Sequence, residues 1–326
     1  YADDSLWDEE GLGWLRFAQA RHPTFWVADG DAWKLRLLAE EVPMPWDWPV
    51  ETNCHEARAF CRWKARETGL GVRLPSEDEW HRIYDHAGLS DVPMDAPATA
   101  NLHLDHWASS CPVDRFPHGD LFDVVGNVWQ WCETPTYPFA GFAVHPIYDD
   151  FTTPTFDNSH DIIKGGSWIA TGNEARHVSR YAFRRHFFQH AGFRYIVSAA
   201  PATQPDSRYE TDALLSQYAE FHYGDAYFGV PNFPRAVADI ASAAWARHGQ
   251  GRAAGRALDL GCATGRSSFE LARHFAQVEG IDFSARFIQT GVQLAETGVI
   301  RYTLPDEGEL VLYRERAYHN AVSPSM

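Results

Sequence analysis

Asn53 is followed three positions later by Glu56, and Ala57, Phe60, Cys61 and Ala65 then fall at helical spacing. This pattern predicts a helix opened by a capping box and stopped at Gly69. The device recurs in RLPSEDEW (73–80), where Ser76 and Glu79 form the box and Trp80 is the first buried residue of a second helix. Further on, Trp129 and Trp131 alternate as strand residues do, after a Gly126-Asn127 turn that calls for positive φ. Paired glycines at 165 and 166 let a backbone pass close to a neighbour. Pro, His and short segments between turns break the pattern elsewhere, so residues 1–200 read as loop-heavy α+β. After the Pro/Ala/Ser stretch 198–207 the texture changes. Residues 235–298 are Ala-rich and helix-prone, interrupted by the apolar runs RALDLG (256–261) and VEGIDF (278–283). Strand–turn–helix–strand in that order is an α/β signature. Residues 209–233 read as a helical lead-in, and GELVLYRERAY (308–318) as one more strand. Twelve of the thirteen tryptophans lie between Trp7 and Trp168, which puts the domain boundary near residue 205. No internal repeat is present.

Composition narrows the function classes. The 326 residues are 45% hydrophobic and 22% charged, which suits packed domains. Against 28 basic side chains stand 44 acidic ones, a net charge of −16. That balance argues against nucleic acid or an anionic membrane as the main partner. No apolar run reaches the roughly 18 residues a membrane span needs. The chain starts at Tyr1 without a charged-then-apolar leader, and reads as an excerpt of something longer. Its five cysteines (54, 61, 111, 132 and 262) contain no CxxC pair and suit reduced thiols in a cytoplasmic protein.

Four short motifs carry the chemistry: LPSEDEW (74–80), FDVVGNVWQW (122–131), KGGSW (164–168) and AGFRY (191–195). Each alone reads as turn and core. Together, and in this order, they resemble the formylglycine-generating-enzyme and sulfatase-modifying-factor family, which implies a C-type-lectin-like α+β fold over residues 1–200. The copper-binding branch of that family carries two cysteines between GGSW and GFR. Here the interval 169–191 has none, and a soft Cu(I) ion wants thiolates. Residues 133–157 and 179–195 instead resemble the sulfoxide synthases of thiohistidine biosynthesis, the 5-histidylcysteine sulfoxide synthases of ovothiol biosynthesis above the ergothioneine type. The resemblance implies non-haem Fe(II), with O₂, cysteine and histidine as small-molecule substrates. It also implies that the iron is held by three histidines of a preceding DinB-like helical domain, which has no counterpart ahead of Trp7. His186 and His190 would share a face if helical, and His103 and His106 are three apart. No carboxylate completes either pair, so no metal ligand is assigned within this chain. Amino-acid substrates carry carboxylates, which arginine grips bidentately. Arg184 and Arg194, then Arg180 and Arg185, are the expected contacts. The family's tyrosine near the iron, a proton or electron donor, maps to Tyr137, with Tyr148 as second choice.

In the second part, ALDLGCATG (257–265) and GIDFS (280–284) form a strand, a glycine turn and an acid at the end of a second strand. Such a turn lets backbone amides and a helix N-terminus approach a polar ligand. The DxGxxxG and GIDxS pattern resembles class I S-adenosylmethionine methyltransferases and implies cofactor contacts by Asp259, Gly261, Gly265 and Asp282. Ala263 stands where a middle glycine is common. Only 44 residues follow Asp282, too few for the roughly five further strands, about 5–6 residues each plus crossovers, of a whole sheet. The reading is therefore a domain over 1–200, a linker over 201–208, and the N-terminal half of a Rossmann-like methyltransferase domain over 209–326. It makes the chain a fragment of a bifunctional ovothiol-biosynthesis enzyme, joining C–S coupling to N-methylation, with no nucleic-acid or membrane partner. The alternatives are an ergothioneine-type sulfoxide synthase, or a non-catalytic lectin-like module fused to a nucleotide-binding remnant.

Overall fold

The computed structural model describes residues 1–89, 99–105, 107–139, 142, 153–171, 173–202, 208–249, 255–307 and 310–318. The chain divides into two compact units, one of Tyr1–Thr136 with Ser159–Pro205, the other of Tyr137–Asn158 with Asp206–Met326.

The first unit opens with α1 (Glu9–Ala18) and an antiparallel meander of β1 (Trp26–Asp29), β2 (Ala32–Arg36) and β3 (Glu41–Pro43). The two helices expected from capping boxes follow. In α2 (Cys54–Thr68), Asn53 and Glu56 exchange both bonds of the box, and Gly69 closes the helix at φ +68°. In α3 (Glu77–His86), Ser76 and Glu79 do the same. Between them runs β4 (Val72–Arg73), and beyond α3 come the short β5 (Pro117–His118) and β6 (Leu121–Phe122). The central sheet is built from β7 (Trp129–Pro135), β8 (His160–Lys164), β9 (Tyr181–Arg184) and β10 (Ala191–Gly192), in the order β10-β7-β8-β9. β11 (Ile196–Val197) returns to pair with β4.

β7 separates two cores. Because side chains alternate across a strand, Trp129 and Trp131 join Cys54, Ala57, Cys61 and Ile163 beneath α2. Cys132 joins Trp80, Tyr84, Val124 and Ile162 beneath α3. Both faces of the strand are thus buried, so tryptophan alternation marks one core and hides the other. The turn leading into β7 has the expected geometry: Gly126 sits at φ +80° and Asn127 at +65°. A Cβ on Gly126 would lie 2.8 Å from the Asn101 carbonyl oxygen, so space as well as φ demands glycine. Gly165, at φ +92°, leaves room for the Val124 carbonyl and the Gln130 amide. His186 and His190 do not share a helix face: the chain turns between β9 and β10, and His190 holds φ +51°.

In the second unit, α4 (Asp212–Tyr223) and α5 (Phe233–His248) precede the parallel pair β12 (Arg256–Leu260) and β13 (Gln277–Ile281). Between the strands lies α6 (Arg266–Leu271). After α7 (Ala285–Thr297), capped by Gly298 at φ +71°, the chain forms the antiparallel hairpin β14 (Val299–Pro305) and β15 (Val311–Ala317). The expected tail strand is β15; β14 is absent from the sequence reading. Phe269, Leu294, Ile300 and Tyr302 form one core there with Ala219 and Tyr223. Leu258 and Leu260 on β12 remain 56% and 73% exposed. No helix among the described residues is long and apolar enough to cross a membrane.

Candidate functional site

The arginines of the segment 180–194 have different fates, decided by which acid lies nearby. Arg180 forks onto Glu77 at the start of α3, its Nε donating to Oε1 at 2.8 Å and its Nη2 to Oε2 at 2.9 Å. Arg185 forks onto Asp161 of β8 at 3.0 and 3.1 Å, and Arg58 of α2 reaches the same carboxylate at 2.9 Å. Arg194 donates to the Phe122 carbonyl at 2.7 Å and to Gln130 Oε1 at 3.3 Å, holding the loop ahead of the Gly126 turn. These three guanidinium groups are thus engaged within the first unit, a placement at odds with the expectation that they face a substrate. Arg184 ends β9 and is exposed, and its guanidinium makes no hydrogen bond or ion pair among the described residues. Its expected partnership with a substrate carboxylate remains sterically open.

The acids, which the sequence reading passed over, are the organising residues. Glu77 is 1% exposed; burial opposes its charge, but His81, 3.8 Å away, and the fork of Arg180 outweigh it and hold its carboxyl at about 2. Asp161, fully buried, is likewise held below the usual carboxylate range: the charges of Arg58 and Arg185 outweigh the desolvation. Asp123 behaves oppositely. Burial pushes it up to about 7, the Asn127 amide opposing only in part, and its Oδ1 is buried without a partner among the described residues.

That shift has a consequence for stability. Unfolded, Asp123 ionises near 3.8; folded, it keeps its proton until about 7. Stability therefore falls as pH rises between those values and stays lowered above them. Asp123→Asn removes the buried charge, keeps an acceptor for Asn127, and suits φ +48°. At pH 8 the variant is expected to unfold about 3–4 kcal/mol less readily than the parent, a gain that disappears near pH 4. Urea unfolding at the two pH values checks it, and equal gains at both would refute the cause.

Tyr137 falls in the second unit just past β7, half-buried, with its ring edge-on to Phe139 at 5.6 Å. Tyr148 and His106 lie outside the described residues. In the first unit, His81 Nδ1 and His177 Nε2 are 2.8 Å apart, with Asp85 3.8 Å from the latter. Among the described residues no group of three or more His, Cys, Asp or Glu is placed to hold a metal ion, so an iron centre does not fit them.

The glycine turn of the second unit is formed, with Gly261 at φ +76°, Ala263 at +46° and Gly265 at +87°. Its amides, however, point inward. Gly261 and Cys262 donate to the Ile281 carbonyl at 2.7 and 3.1 Å, and Gly265 to that of Cys262 at 2.9 Å. Asp282 accepts from the Ala263 and Ser284 amides, both at 2.9 Å. Asp259 accepts from Ser267 and Ser268 at 2.6 and 2.7 Å. The donors expected to meet a cofactor thus close the turn on itself. A cavity of about 450 Å³ lies nearby, lined by Asn232, Arg235, Asp239 and Arg266 among others, but not by the four residues assigned to the cofactor.

Comparison with known proteins places residues 13–199. The family described as Sulfatase-modifying factor enzyme 1-like domain matches residues 13–199. The hercynine oxygenase of Mycobacterium tuberculosis is 27% identical over 209 residues, 60% of this chain and 47% of that protein. The hercynine oxygenase of Mycolicibacterium smegmatis is 28% identical, over 53% of this chain and 42% of its own. Ergothioneine biosynthesis protein 1 of Schizosaccharomyces pombe is 27% identical, over 53% of this chain and 21% of its own. The chain spans less than half the length of each of these relatives.

Proposed function

Since the chain belongs to the sulfatase-modifying factor enzyme 1-like family through residues 13–199, we propose that these residues are the substrate-binding part of an oxidative sulfoxide synthase. The reaction joins the sulfur of cysteine to a ring carbon of histidine and leaves a sulfoxide. The observation that carries the reading is the interval 169–191, which lacks the cysteines of the copper branch and presents Arg184 exposed on the edge of β9. Relatives named hercynine oxygenase support the reaction class; histidine rather than a methylated histidine as acceptor is the ovothiol-type form of the proposal. Iron would supply the oxidising chemistry, and its ligands would come from a helical domain outside these residues. The part assigned to this chain is to bind and orient. Arg184 holds a substrate carboxylate, and Tyr137, with Tyr148 in reserve, donates a proton. For the second unit we retain S-adenosylmethionine-dependent N-methylation as its reading in the whole protein. The order of strand, glycine turn and acid supports it; the inward amides of the turn do not.

Coupling of cysteine to histidine by the iron-loaded full-length protein tests the proposal directly. Arg184→Ala is expected to lower kcat/KM for the amino-acid substrates about 10- to 100-fold, mainly through KM, with Arg184→Lys between the two. No coupling in the parent would remove the reading, and an unaffected Arg184→Ala variant would remove Arg184 from it.

A further inference from the structure

Glu51 and His190 form a carboxylate–imidazole pair with no part in the reading above. Glu51 lies two residues ahead of the Asn53 cap of α2, and His190 ends the turn before β10. Backbone bonds fix both. The Thr52 amide donates to the Ala191 carbonyl at 2.7 Å, and the Trp129 amide to the His190 carbonyl at 3.0 Å. His190 is held at φ +51°, a left-handed conformation that a residue with a Cβ enters only at a cost.

The ring is fixed as firmly as the backbone. His190 Nδ1 lies 2.8 Å from Glu51 Oε2, and Trp168 Nε1 donates to the other carboxylate oxygen at 3.4 Å. Phe25 stacks on the imidazole at 6.0 Å and 14°, while Trp168 leans on it at 4.7 Å. Glu51 is the titratable group facing His190 among these contacts of the described residues. A carboxylate only accepts, so Nδ1 carries the hydrogen, and the neutral ring presents Nε2 as a lone pair. The Glu51 side chain is 13% exposed and that of His190 30%, so the bonded end of the pair is buried while the ring stays within reach of a small molecule. Phe188 continues the aromatic wall from Phe25 to Trp14, which stacks on His55. Beside Glu51 in sequence, Thr52 Oγ1, Asn53 Nδ2 and His55 Nδ1 are buried without hydrogen-bond partners among the described residues. Unmatched polar atoms in such number mark a place suited to a polar ligand.

We propose that His190, oriented by Glu51, is a catalytic residue whose Nε2 takes the proton from the substrate thiol. The S–H bond breaks, an N–H bond forms at Nε2, and the electron pair stays on sulfur as a thiolate. No oxidant is needed for this step. Over the whole turnover one thiol hydrogen and one ring C–H hydrogen leave with one oxygen atom of O₂ as water, and the other oxygen atom stays on sulfur. A neutral imidazole is the most common general base for such a proton transfer.

This proposal rests on the sulfoxide-synthase reading, and two measurements separate their fates. In the 326-residue chain itself, imidazole ¹⁵N resonances should show neutral His190 protonated at Nδ1, with Glu51→Gln shifting the tautomer balance toward Nε2–H. A wild-type ring protonated at Nε2 overturns the proposal whatever the activity. In the iron-loaded full-length protein, His190→Gln keeps a donor for Glu51 but removes the base. It is expected to lower kcat/KM for the thiol about 100-fold at neutral pH. It should also abolish the acidic limb of the pH profile and regain activity as pH rises toward the thiol's own pKa. An unchanged profile and rate reduce His190 to a structural residue and leave the coupling reading intact; no coupling by the wild type overturns both.

Discussion

Replacement of Asp161 by alanine is expected to destabilise the first unit by about 3–5 kcal/mol, the loss typical of removing one member of a buried ionic cluster. The carboxylate is fully buried and receives the fork of Arg185 at 3.0 and 3.1 Å, Arg58 at 2.9 Å and the Cys54 thiol at 3.3 Å. It joins α2, β8 and the chain leaving β9 at one point. Without it two guanidinium groups face each other in a site with little water, each left with one acid: Glu133 lies 3.2 Å from Arg58 and Glu10 2.5 Å from Arg185. Asp161→Asn should restore volume and little else, because an amide cannot offset two positive charges. The urea midpoint is expected to fall with an unchanged m value. Combining Asp161→Asn with Arg185→Gln should then lose less than the sum of the single changes, since the second substitution removes a charge the first left unpaired. Strict additivity would mean that the cluster is not a unit.

Which parts of this were legible beforehand follows from distance along the chain. The caps of α2 and α3 are three-residue patterns, and the Gly126-Asn127 turn is two residues, so sequence alone carries them. The β7 tryptophans were readable as alternation, but Cys132 and Gln130 on the other face gave no apolar signal for the second core. Identification of Arg184 as the open arginine required knowing that Glu77 lies 103 positions from Arg180 and Asp161 lies 24 from Arg185. Glu51 and His190 are 139 positions apart, and the only local sign was an i,i+4 histidine spacing that suggested a helix where the chain turns. In the second unit the glycine pattern marked the turn but carries no information on where each N–H points. β14 escaped because Gly298 ends α7 and the strand starts at once, with no turn residues to announce it. Short-range backbone demands are written in the sequence; the pairing of charges is a property of the fold.

Glu77→Gln is the second large loss expected, about 3 kcal/mol at neutral pH, and its pH dependence identifies the cause. Folded, Glu77 ionises at about 2, against 4.5 unfolded. The stability this contributes is complete above the unfolded value and is lost as pH falls through the folded one. Parent and variant should therefore differ most above pH 5 and converge near pH 2. Lys164 modifies the alkaline side. Burial pulls its pKa down to about 8 although Glu77 opposes the shift. The ammonium bonds the carbonyls of His177 at 3.0 Å and Ser179 at 2.6 Å, while the carboxylate is 3.9 Å away and already gripped by Arg180. Desolvation thus wins at Lys164 and attraction wins at Glu77, within the same cluster. In Glu77→Gln the attraction is gone, so Lys164 should lose its proton at still lower pH. Both chains gain stability as Lys164 deprotonates more readily folded than unfolded, and the variant should begin to gain earlier. A stability difference between them that narrows between pH 7 and pH 9, and narrows again below pH 4, is the expected curve. A difference constant across that range would assign the loss at Glu77 to altered packing of α3 instead of to charge.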